Sequence, residues 1–158
     1  MKFTSLLVLL LMLTTSYTSK GQNNPETYEE EVIKSVIASL FDGMREADSS
    51  KVKDLFYSKA VLMTSYIDKE GQQQLKQGEL SRFISAVGSP RTDLWDERLS
   101  DTLIKIDDGI AHVWTPYQFY VNEQFSHCGV NSFQLAKNAL GEWKIIHLID
   151  TRRKERCK

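Results

Sequence analysis

The sequence predicts an α+β domain, with helices from its first half packed on a curved, mostly antiparallel sheet from its second half. Three observations lead there. Ile110 to Arg153 reads as three runs, IAHVWTPYQFY, FSHCGVNSFQLAK and WKIIHLIDTRR, rich in β-branched and aromatic residues and parted by the polar breaks VNEQ and NALGE. That pattern is a three-stranded antiparallel meander. Each run is about ten residues long, so the sheet can curve, and its concave side needs filling. The first half supplies the filling, because Val32, Ile33, Val36, Ile37, Leu40, Phe41 and Met44 recur at helical spacing as one broad stripe.

At 158 residues the chain is one domain by length. Residues 1–21 read as a cleavable secretory signal peptide: Met1-Lys2 gives a positive start, Leu6 to Leu13 is apolar throughout, and Ser19-Lys20-Gly21 offers small residues at the cut. The apolar run is too short for a bilayer, which takes roughly 20 residues. The expected location is therefore periplasmic or secreted, with no membrane attachment once the signal is removed. Its removal takes away Lys2 and Lys20 and moves the net charge from −1 to −3, which argues against nucleic acid as a partner. The remaining domain, 22–158, is long enough to bury a core of its own.

In chain order, Asn24 is expected to cap a first helix opened by Pro25 and running to about Ala47. Asp48-Ser49-Ser50 starts a second, short helix with Val52, Leu55 and Phe56 inward. Ala60 to Ile67 reads as a strand, Asp68 to Gly71 as a turn, and Gln72 to Lys76 as a weak returning strand. A third helix follows Gly78, covers Glu79 to Val87 and stops at Gly88 and Pro90. Trp95 to Ile106 reads as one further strand, and Asp107-Asp108-Gly109 turns into the meander.

This order of elements, with EADSSKVKDLFYSKAVLMTS linking the short helix to a strand and GEWKIIHLIDTRR as the last strand, resembles the nuclear transport factor 2-like (SnoaL-like) superfamily. Its fold is the cystatin-like, cone-shaped α+β barrel. FSHCGVNSFQL, with DTRR and a final Cys, is similar to the secreted branch labelled lumazine-binding. The resemblance covers roughly Thr27 to Cys157. It implies a pocket between the concave sheet and the helices, and a homodimer through the convex face. It does not select a function, since isomerases, dehydratases, cyclases and non-catalytic binding modules share the scaffold.

Strand parity proposes which residues line that pocket. With turns centred near Asn122-Glu123 and Ala139-Leu140, one face carries Trp114, Gln118, His127, Asn131, Phe133, Ile146, Leu148, Asp150 and Arg152. The other carries Tyr117, Phe119, Ser126, Cys128, Val130, Ser132, Ile145, His147 and Ile149. A single bulge swaps the two sets. The expected pocket is mostly apolar, with His127, Asn131, Asp150 and Arg152 at its polar end and Tyr66, Trp95 and Trp114 as walls able to stack on a flat ligand. Each has a plainer reading: His127 as a satisfied core histidine, the aromatics as ordinary core, and Asp150–Arg152 as an ion pair closing a strand end.

His127 and Cys128 cannot form a nucleophilic dyad, because successive strand residues point to opposite faces. His112, His127 and His147 lack metal-ligand spacing, so neither a metal nor another cofactor is expected. Arg152, Arg153, Lys154 and Arg156 read as a solvated tail. Asp101 and Asp150 stand as the carboxylates within strand patterns, with no Asp–Arg–Asp or Tyr–Asp set evident, which weighs against catalysis. Cys128 and Cys157 are expected to pair, with Cys128 opposite Thr151. That bond ties the C-terminus to the sheet and is worth roughly 3 kcal/mol by loop entropy.

The leading expectation is a secreted or periplasmic, non-catalytic, homodimeric protein that binds a small hydrophobic or aromatic molecule. The alternative is an isomerase, dehydratase or cyclase using His127 or Asp150 as general base. A further alternative is a dimerisation module with a vestigial pocket.

Overall fold

A computed structural model describes residues 25–157. The expected signal peptide, its cleavage site and the Asn24 cap lie outside the described residues. The elements run α1 (Pro25–Glu46), α2 (Ser49–Leu55), β1 (Phe56–Ile67), β2 (Gln73–Gly78), α3 (Leu80–Val87), β3 (Trp95–Leu99), β4 (Leu103–Asp107), β5 (Ile110–Val121), β6 (Gln124–Lys137) and β7 (Trp143–Arg152). The sheet order is β2-β1-β7-β6-β5-β3, with β4 paired to the remainder of β5. Every pairing is antiparallel except that of β1 with β7. The fold is thus three helices on a curved, mostly antiparallel sheet, as the element order predicts.

Local chemistry sets the boundaries. Asp48 caps α2 by accepting from the backbone N–H groups of Ser50 and Lys51, both at 3.0 Å. Phe56 opens β1 instead of closing α2. Trp95 to Ile106 is two strands. Pro116 of β5 offers no N–H to a neighbouring ladder, and the partner chain breaks there, with Asp101 at φ 43°. Buried Thr115 fastens the break, its hydroxyl donating to the Ser100 carbonyl at 3.2 Å.

The stripe on α1 does what its spacing predicts. Ile33, Ile37, Leu40 and Phe41 are buried against Val113, Phe133, Leu135 and Ile145 of the sheet, with Phe41 and Phe133 edge to face at 6.3 Å. At one end of this contact Glu29 of α1 accepts from the indole N–H of Trp143 (2.6 Å) and from Lys137 (2.8 Å). These bonds hold the Glu29 carboxyl below its ordinary pKa, Lys137 first and Trp143 second. At the other end the Arg91 guanidinium donates to the last carbonyls of α1 and α3, Met44 O and Val87 O.

Two bulges decide which side chains face inward. Between β5 and β6 the pairs run Val121↔Gln124, Tyr120↔Phe125, then Phe119↔His127, so Ser126 is the extra residue. The expected β5 face is thereby overturned: Tyr117 and Phe119 share the concave side with His127 and Asn131, while Trp114 and Gln118 point the other way. Between β6 and β7 the pairs Gln134↔His147 and Leu135↔Ile145 leave Ile146 as the extra residue. Buried Ile145 therefore takes the core position expected of Ile146, whereas Leu148, Asp150 and Arg152 keep the expected face.

Cys128 and Cys157 are joined, their Cα atoms 5.7 Å apart. Cys128 faces Arg153 rather than Thr151, and the two exchange backbone hydrogen bonds of 2.8 and 2.9 Å. The adjacent Gly129 is required by close approach. A Cβ there would lie 1.7 Å from the Thr151 carbonyl oxygen and 2.7 Å from the Tyr117 ring.

Candidate functional site

The concave sheet, α1 and α3 enclose a cavity of about 390 Å³. Its apolar walls come from three layers: Leu40, Phe41 and Met44 on α1, Phe83 on α3, and Leu62, Trp95, Phe119 and Leu148 on the sheet. Trp95 is fixed from both sides, by the Arg91 guanidinium 4.1 Å from its ring centroid and by an edge contact with Phe119 at 6.4 Å.

Polar groups gather at one end, carried by five neighbouring strands. Asp150 of β7 is a hub. It accepts from the Thr64 hydroxyl at 2.6 Å, from the Tyr117 hydroxyl at 3.1 Å and from Arg152 Nε at 2.8 Å. Tyr117 also lies 3.0 Å from the Thr151 carbonyl, so its single proton is shared between two acceptors. Burial, with the Asp150 and Glu97 carboxylates nearby, raises the Tyr117 pKa and keeps it a donor.

Glu97 of β3 enters the same end and accepts from Asn131 Nδ2 at 2.6 Å. Burial pushes its carboxyl up to about 7 against that bond, and the Asp150 carboxylate adds to the rise. His127 lies against Tyr117 and Phe119, its ring centroid 5.8 and 5.0 Å from theirs, with Ser126 Oγ 3.1 Å from Nδ1. Burial first, and the Arg152 charge second, lower its pKa and favour the neutral imidazole. The result is an apolar hollow ending in one carboxyl poised between its two protonation states, one carboxylate saturated by donors, a neutral imidazole and an amide. Such a set can hold the polar atoms of a small molecule and can give or take a proton.

Of the residues proposed from sequence, His127, Asn131, Asp150, Arg152 and Trp95 line this cavity together. Tyr66 shares their face, opposite Arg152, but lines an adjoining open cavity. Trp114 lies outside, 46% exposed on the outer face, because of the bulge at Ser126. His112 bonds to Ser132 at 3.0 Å on that outer face, and His147 is also on it, so neither accompanies His127. The expectation that no Tyr–Asp set exists is overturned by Tyr117–Asp150. Glu97 went unproposed, although its parity with Trp95 and Leu99 along WDERL marks it as inward-facing.

No family model matches the chain, and no curated protein matches it. Solved structures do. A nuclear transport factor 2-like protein of unknown function from Shewanella baltica aligns at 17% identity with a TM-score of 0.61, over 84% of this chain and all of its own. A cystatin-like-fold protein of unknown function from Nostoc punctiforme gives 16% and 0.63, over 81% of this chain and 93% of that one. A Novosphingobium aromaticivorans protein, named provisionally as a scytalone dehydratase, gives 12% and 0.63, over 81% and 86%. Identities this low speak for architecture alone. The chain has the fold of the nuclear transport factor 2-like, cystatin-like proteins.

Proposed function

We propose that the protein binds a small, largely apolar molecule inside the cone, with the molecule's polar atoms against Glu97, Asn131, Asp150 and Arg152. The observation that carries this reading is the hollow itself. Apolar side chains from helix and sheet leave about 390 Å³ unfilled where seven polar side chains, Thr64, Glu97, Tyr117, His127, Asn131, Asp150 and Arg152, converge. A vestigial pocket would be closed by larger side chains. Uncharged N-phenyl-1-naphthylamine, whose fluorescence rises in apolar surroundings, is a suitable probe. It is expected to bind the wild-type protein and to fail with Leu148→Trp, which fills the cone. Equal binding by both proteins would refute the reading.

A second reading, that the cone also catalyses proton transfer, is favoured by Glu97, whose carboxyl sits near neutrality inside an apolar hollow. Asp150 is instead engaged as an acceptor by three donors, Thr64, Tyr117 and Arg152. The dehydratase name of the Novosphingobium relative is compatible with such chemistry but belongs to that protein. With 5-nitrobenzisoxazole as probe, Glu97 would take the carbon-bound proton as the N–O bond breaks to release the phenolate. The rate should rise to a plateau above about pH 7 and vanish in Glu97→Gln. A rate no higher than that with free acetate rules this second reading out.

We further propose that the chain is secreted, as in the branch labelled lumazine-binding, and that it is a homodimer. The Cys128–Cys157 bond suits an oxidising compartment. Leu103 and Trp114, paired across β4 and β5, and Ile110 on the same outer face are about half exposed, an apolar strip a second copy can cover.

A further inference from the structure

The cone opens at its polar end into a second, shallower cavity of about 690 Å³, and the two share Thr64, His127 and Arg152 as lining. This vestibule is lined also by Lys76, Arg153 and Lys154, and among the described residues no carboxylate lines it. The chain as a whole is slightly acidic, so composition does not account for four cations at one mouth. They arrive from separate places. Lys76 stands on β2 opposite Thr64, Arg152 ends β7, and Arg153 and Lys154 follow it.

Arg153 and Lys154 do not trail into solvent as a free tail. The disulfide and the paired backbone bonds between Cys128 and Arg153 hold this segment against β6. Among the described residues the Arg153 guanidinium bonds neutral oxygens, the Arg156 carbonyl and the Thr151 hydroxyl, each at 3.3 Å. Those bonds orient the group and leave its charge uncompensated. Arg152 is partly neutralised by Asp150 at 2.8 Å. The field of these cations reaches the cone mouth, where Arg152 and Lys154 add to burial in lowering the His127 pKa.

We propose that the ligand is an amphipathic organic anion, its carboxylate, sulfonate or phosphate held in the vestibule by Lys76, Arg152, Arg153 and Lys154 and its apolar body in the cone. This rests on the cone being a small-molecule site, and it adds the ligand's charge and orientation. Deeper in the cone an anion would meet the acidic side chains of Glu97 and Asp150, which disfavours it there. At the mouth it gains two-donor contacts from the guanidinium groups and remains partly hydrated.

The test uses two dyes of like shape: 8-anilinonaphthalene-1-sulfonate, which is anionic, and N-phenyl-1-naphthylamine, which is not. In the intact disulfide-bonded protein, Arg153→Gln with Lys154→Gln is expected to weaken the sulfonate dye about tenfold and leave the neutral dye unchanged. Lys76→Gln should act in the same direction, and added salt should weaken only the sulfonate dye. Circular dichroism confirms that the variants fold. Sulfonate binding unaffected by the charge changes, or both dyes weakened equally, overturns the vestibule while leaving the cone intact. If filling the cone with Leu148→Trp leaves both dyes bound, the cone reading itself fails and this proposal with it. Binding to anionic vesicles that depends on the same cations, with dye affinity unmoved, would reassign them to a lipid surface and overturn it too.

Discussion

At the scale of single residues, two positions concentrate the physics of the site. Glu97 holds its proton more tightly folded than unfolded, so the folded state binds more protons between its ordinary value of 4.5 and about 7. Its contribution to stability is complete below pH 4.5, declines as pH rises, and is gone above about 7. Glu97→Gln should remove that slope and make the protein more stable than wild type at pH 8 by on the order of 2 kcal/mol, as read from urea midpoints across pH. Parallel pH profiles for the two proteins would show that the carboxyl is not buried as described. Gly129 is the second position. An added methyl collides with backbone, not with a side chain that can turn away, so Gly129→Ala should cost about 2–3 kcal/mol and release Tyr117 from Asp150.

At the scale of elements, periodicity made the helices and long strands legible, and bulges hid the face of β5. The α1 stripe, the Asp48 cap, the β6 parity and the β7 parity from Leu148 onward follow from spacing, while at the start of β7 the extra residue Ile146 leaves the core position to Ile145. The exchange of Trp114 and Gln118 for Tyr117 and Phe119 turns on one extra residue, Ser126, and nothing in FSHCG distinguishes a bulged strand from a regular one. The division of Trp95–Ile106 was more accessible, since Pro116 in the neighbouring strand signals a gap in the ladder. Glu97 was legible too, by its alternation with Trp95 and Leu99. Its raised pKa was not, because that depends on which strands come together around it.

At the scale of the whole molecule, the sheet has two faces with different duties. The concave face carries the cavity, and the outer face presents Trp114, Leu103 and Ile110 to solvent, each at least 46% exposed. If a second copy covers that strip, Trp114→Glu should convert a dimer to a monomer in sedimentation while leaving N-phenyl-1-naphthylamine binding in the cone unchanged. An unchanged sedimentation coefficient would remove the strip as the contact. The two helices, the converging strand ends and the pinned C-terminus together frame a hollow that opens toward Lys76, Arg152, Arg153 and Lys154. Methyl-resolved NMR tests this most directly, with N-phenyl-1-naphthylamine titrated into the native protein. The account predicts that resonances of Leu40, Met44, Leu62 and Leu148 shift while those of Leu103, Ile110 and Leu140 stay in place. Shifts confined to Leu103 and Ile110, with the cone methyls unmoved, would contradict it.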